Sequence, residues 1–151
     1  MSEHVRTTRE TVELMLRTVI EGSRDDLADL YAEDVVVTNP FVAEEYRESR
    51  GNTALRTRMK GFAQYLHYSE VKNVTLHETA DPQVAIVEFT VVGTLVPTGE
   101  GFELPSINVI RVVDGLITES RDHSDGLRTA KLLESLQAAG ASVGTSADTA
   151  S

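Results

Sequence analysis

The stretch Ile107-Asn108-Val109-Ile110-Arg111-Val112-Val113-Asp114-Gly115-Leu116-Ile117-Thr118-Glu119-Ser120-Arg121-Asp122 decides the fold. Two β-branched runs flank Asp114-Gly115, a pair suited to the positive φ angles of a two-residue hairpin turn. Upstream, Val84 to Val96 reads as the longest strand, and Pro97-Thr98-Gly99-Glu100-Gly101 turns it back into a strand from Phe102 to Val113. Val71 to Glu78, ended by Asp81-Pro82, precedes them. Four strands joined in this way form a meander. Pro105 inside one of them predicts an edge or a bulge, which helps a sheet to curl.

The first part of the chain has a different period. Thr8 to Ile20 carries Val12, Leu16, Val19 and Ile20 at helical spacing, with Met15 beside them, and Gly22 stops it. Ser23 caps a short second helix with Asp25 and Asp26 in its first turn and Leu27, Leu30 and Tyr31 as its stripe. Val35 to Thr38 is a strand, stopped by Asn39-Pro40. Asn52 is expected to cap a third helix bearing Leu55, Met59, Phe62 and Leu66, and Leu127, Leu133 and Leu136 mark a last one. Helices followed by a meander predict an α+β fold: a cystatin-like cone whose curled antiparallel sheet carries helices across its concave face and encloses a pocket.

At 151 residues the chain suits one domain, expected over residues 7–137, with residues 1–6 and 138–151 as disordered tails. A formal charge of −10 argues against a nucleic-acid partner, which requires a basic stripe. The absence of cysteine excludes disulfides, thiolate nucleophiles and cysteine-ligated zinc. No apolar run approaches a membrane span, and Met1-Ser2-Glu3-His4 does not begin a secretory signal, so a cytoplasmic protein with no membrane partner is expected. His67, His77 and His123 share no helical ligand spacing with one another, so no metal site and no cofactor are expected.

Strand alternation sorts the polar side chains. Asn108, Ile110 and Val112 share one face; Ile107, Val109, Arg111 and Val113 share the other, where Arg111 prefers solvent or a partner subunit. On the next strand Thr118, Ser120 and Asp122 oppose Ile117, Glu119 and Arg121. The inward face therefore brings Asp122 beside Asn108. A carboxyl in an apolar pocket has its charged form disfavoured, which raises its pKa towards what a general base needs. Simpler roles are a helix cap or a partner for Arg128 or Arg121 at Asp122, turn chemistry at Asn39, and a satisfied amide at Asn108. Tyr46, Tyr65 and Tyr68 are expected to pack with their hydroxyls to solvent.

Three segments together resemble a known superfamily. Leu30-Tyr31-Ala32-Glu33-Asp34-Val35-Val36-Val37-Thr38-Asn39-Pro40-Phe41 resembles the second-helix-to-first-strand segment of the nuclear transport factor 2-like proteins. Asn108 to Ile117 is similar to their penultimate hairpin. Arg121-Asp122-His123-Ser124-Asp125 resembles the closing strand of SnoaL-like polyketide cyclases and limonene-epoxide hydrolases. The resemblance spans residues 8–137. It implies a general base at Asp122 and supporting polar residues at Asn39 and Asn108, although a histidine stands at the latter position in the cyclases. Ketosteroid isomerase chemistry is disfavoured, because Met15, Asn39 and Asn108 replace its catalytic set. Epoxide hydrolysis loses its supporting shell, because Val37, Phe89 and Val91 replace a tyrosine, an arginine and an aspartate.

The resulting expectation is a cofactor-independent enzyme acting on a small, mostly apolar carbonyl compound of polyketide type, a cyclase or isomerase. Asp122 is the base, and Asn108 and Asn39 hold the developing enolate oxygen. Met15, Met59, Phe62, Val87, Phe89, Val91, Ile110 and Ser120 are the expected substrate contacts. The alternatives are a non-catalytic ligand-binding or dimeric assembly module and an epoxide hydrolase-like enzyme. A homodimer through the convex sheet face, with Ile107 and Val109 in the interface, is expected.

Overall fold

The computed structural model describes residues 4–140; residues 1–3 and 141–151, which fall within the two expected tails, lie outside the described residues. Helix α1 spans Thr8–Glu21 and α2 spans Arg24–Ala28, followed by strand β1 over Tyr31–Thr38. A 3₁₀ turn at Glu44–Tyr46 leads to β2, Glu48–Arg50, and then α3, Asn52–Ala63. The meander is β3, Leu66–Glu78; β4, Val84–Leu95; β5, Gly101–Val113; and β6, Leu116–Ser124, with α4 over Gly126–Ala138. Local chemistry sets the helix starts. Thr7 and Glu10 form a reciprocal capping box on α1, and Ser23 and Asp26 form another on α2.

The six strands lie in the order β2-β1-β6-β5-β4-β3. The sheet is mixed rather than antiparallel throughout, because β1 runs parallel to β6. Strands joined by tight hairpins must be antiparallel, but β1 and β6 are separated by most of the chain and are free of that constraint. Asp114 (φ 52°) and Gly115 (φ 78°) form the expected two-residue turn. Pro105 lies opposite the point where β6 has ended: its carbonyl accepts from Asp125 N, while the Asp125 carbonyl, which its missing N–H would have met, accepts instead from Thr129 N in α4.

The β5–β6 ladder contains the decisive irregularity. Arg111 pairs with Glu119 and Val112 with Ile117, which leaves Thr118 as an extra residue. The extra residue reverses the alternation. Ile117, which simple alternation places on the convex side, is 0% exposed in the core, while Ser120 and Asp122 still face inward.

Other boundaries also shift. Leu66 begins β3 instead of ending α3, and it packs with Leu95 and Leu136 in a second apolar cluster under α4. Gly51, at φ 87°, takes the cap position of α3, while Asn52 Nδ2 donates to the carbonyls of Ala28 and Tyr31 and ties the helix to the α2–β1 junction. Tyr31 lies in β1 and not in the second helix. Leu127 is 87% exposed and takes no part in the α4 stripe. The main core joins α1 and α2 to the sheet through Val12, Leu16, Leu27, Val35, Val87 and Ile110.

Two glycines test this packing. A Cβ on Gly93 would lie 2.3 Å from the His67 carbonyl oxygen across the β3–β4 pair, whereas a Cβ on Gly61 in α3 meets nothing within 4 Å. Gly61→Ala should stabilise the protein by about 0.5–1 kcal/mol, and Gly93→Ala should lower its stability by about 1–3 kcal/mol, as measured by urea unfolding.

Candidate active site

The ladder register sets Asp122 on β6 directly opposite Asn108 on β5. Both face a cavity between the sheet, α3 and α4, made of two adjoining lobes of about 260 and 300 Å³. Asn39, Arg58, Phe62, Tyr68 and Asp122 line both lobes. Phe89, Val91 and Met59 wall the lobe nearer α1, and Val37, Leu55 and Leu133 wall the one under α4.

Burial in this apolar setting raises the Asp122 pKa to about 6, against pulls in the other direction from the Ser120 hydrogen bond and the His123 charge. Ser120 Oγ donates to Asp122 Oδ1 at 2.5 Å and holds the carboxyl in place. Ser106 Oγ donates to Asn108 Oδ1 at 2.7 Å, which leaves the Nδ2 end of that amide as the donor. Asn108 is only 8% exposed.

The remaining expected residues divide into wall and support. Met59, Phe62, Phe89 and Val91 line the cavity. Met15, Val87 and Ile110 lie in the core instead, with the Met15 sulfur 3.5 Å from the Tyr31 hydroxyl, and Ser120 is buried behind Asp122. Asn39 is engaged at both ends of its amide: Nδ2 donates to Ser124 Oγ at 2.6 Å, and Oδ1 accepts from Phe41 N. It joins the end of β1 to the end of β6, so it frames the cavity as a turn residue. Tyr46 and Tyr68 line the cavity, in contrast to the solvent-facing packing expected of them, and Tyr65 packs into the α4 cluster. Burial pushes the Tyr68 phenol pKa up, and Tyr31, buried and near the Asp122 charge, is pushed up further.

Arg58, which is not among the expected site residues, also lines the cavity. It lies three residues after Leu55 and four before Phe62, on the apolar stripe of α3, and that spacing was the available signal. Its guanidinium donates to the carbonyls of Tyr46 and Glu48, both at 3.3 Å.

The curled sheet with helices packed on it is the fold of the nuclear transport factor 2-like class. Within that class the chain belongs to the SnoaL-like domain family, whose model matches residues 12–120. It is 29% identical over 125 residues to an uncharacterised PhzA/B-like protein of Pseudomonas aeruginosa, across 82% of this chain and 88% of that one. In fold it is similar to a candidate isomerase from Bacillus subtilis (TM-score 0.77, 24% identity, 84% of this chain and 92% of that one). It is also similar to a candidate polyketide cyclase from Pseudomonas putida KT2440 (TM-score 0.72, 17% identity, 83% and 97%).

The raised pKa has a consequence for stability. Because the folded-state value lies above the unfolded value near 3.8, protonation of Asp122 favours the fold. That contribution is complete below about pH 4 and is lost as pH rises through about 6. Asp122→Asn should therefore be more stable than the parent at pH 8, by about 2–3 kcal/mol at most, and no more stable at pH 3.5. In carboxyl NMR Asp122 should titrate near 6, and Ser120→Ala should move its midpoint upward.

Proposed function

We propose that this protein is a cofactor-independent acid–base catalyst acting on a small carbonyl compound of polyketide type, in a cyclisation or isomerisation. The observation that carries the reading is the Asp122 carboxyl, set in an apolar cavity opposite the amide of Asn108. With its pKa near 6, the carboxylate is available at neutral pH yet basic enough to take a proton from carbon. The proton moves from the carbon alpha to the substrate carbonyl onto Asp122. The electron pair moves onto the carbonyl oxygen, and Asn108 Nδ2 donates to the enolate that forms. Attack of that carbanion on a second carbonyl forms the ring bond and breaks the C=O π bond, and Asp122 returns its proton to the alkoxide; return of the proton at another carbon instead isomerises the substrate.

The side chains at Val37, Phe89 and Val91 line this cavity without a hydrogen-bonding group of their own to orient a water molecule, which favours enolate chemistry over epoxide opening. A homodimer through the convex face fits the exposure of Ile107, which at 45% is high for an isoleucine in a central strand.

Deuterium exchange at the alpha carbon of α-tetralone in D₂O, followed by NMR, tests the reading. The rate should fall below about pH 6 as Asp122 takes up its proton, and Asp122→Asn should reduce it by at least about 100-fold while the fold is retained. Undiminished exchange in that variant removes Asp122 from the mechanism. Sedimentation should show a dimer, and Ile107→Glu should shift it to monomer.

A further inference from the structure

The cations of α3 divide into two groups. Arg56 binds Asp25 and Asp29, both at 2.8 Å, and Lys60 binds Asp25 at 3.2 Å, all on the side facing α2. Arg58, between them in sequence, turns instead into the cavity and lines both lobes. Among the described residues no carboxylate lies within 4.0 Å of it; its hydrogen bonds go to two neutral carbonyls. Arg24, at the first position of α2, is similar. It lies 4.3 Å over the Tyr68 ring at the edge of the lobe nearer α1, with no acidic partner among the described residues.

Arg9, Arg50, Arg56, Arg111, Arg121 and Arg128 each hold an acid; of the arginines without an ion pair among the described residues, Arg58 and Arg24 are those that line the cavity. A half-buried guanidinium remains charged, and leaving it without an anion costs more than leaving one in solvent. The cavity wall holds two cations and a single carboxyl, Asp122. Once Asp122 has taken a proton, the wall has a surplus of positive charge, a complement to an anion in the apolar space between.

We propose that Arg58, assisted by Arg24, is the receptor for a carboxylate on the ligand, so that the compound in this cavity is a keto acid with an apolar body. The planar fork of Arg58 suits a carboxylate, which can accept two parallel N–H bonds. The assignment rests on the acid–base reading of Asp122 for its mechanistic meaning, but its binding consequence is separable from that reading.

Calorimetry with β-benzoylpropionate and its methyl ester tests it, since the two probes share an aryl ketone and differ in the charged end. The parent protein should bind the acid at least about tenfold more tightly than the ester. Arg58→Gln should abolish that preference, and Arg58→Lys, which keeps the charge without the fork, should restore part of it. Thermal melts of both variants establish that the fold is intact. Asp122→Asn should keep the preference for the acid even where alpha-proton exchange is lost, so failure of the base and failure of the anion site give different results. Equal affinity for acid and ester in the parent, no binding of the acid, or a preference that survives in Arg58→Gln overturns the proposal.

Discussion

One extra residue at Thr118 governs the arrangement of the rest. Without it the β5–β6 ladder would keep a single phase, and either Ile117 or Asp122 would face the wrong side of the sheet. The bulge lets the lower half of β6 contribute Ile117 to the core and the upper half contribute Ser120 and Asp122 to the cavity. The same strand thus serves two environments, one requiring a methyl-rich surface and the other a carboxylate. Ser120 lies at the junction, buried itself and donating to the carboxyl two residues on.

Charge is distributed across the molecule with the same economy. Most of its acids lie outside, and some of them pair with arginines of the strands and helices, exposed contacts that contribute little to stability. The interior of the cone reverses that balance with two cations and one reluctant acid. A net acidic surface around a locally cationic cavity holds non-specific anions away while a compact organic acid that enters the cavity finds a complementary field.

Much of this was legible in the chain. The Asp114-Gly115 turn set the hairpin, and alternation counted from Asn108 placed Asp122 opposite it, as the ladder shows. What could not be read was the consequence of events at a distance. A bulge has no sequence mark at Thr118, since any residue can be the unpaired one, and Ile117 was placed on the wrong face as a result. The parallel partnership of β1 with β6 involves residues some eighty positions apart, and local pattern says nothing about it. Leu66 continued a helical stripe by spacing, but β3 pairing with Leu95 claimed it. A charge on a helix is usually solvated, so nothing marks Arg58 as a cavity residue except its position on the apolar stripe between Leu55 and Phe62.

The position of β6 in the sheet also bears on how the protein is made. This strand is among the last pieces of the domain to be synthesised, yet it lies in the interior of the sheet between β1 and β5. Until it arrives, β1 has only the short β2 beside it and no link to the meander. A nascent chain therefore carries a valine-rich first strand with one edge unpaired through most of its synthesis, and non-local closure of this kind is slow. The Asp122 carboxyl enters on the same strand that completes the fold, so an incomplete molecule has neither a closed core nor the cavity that this carboxyl lines.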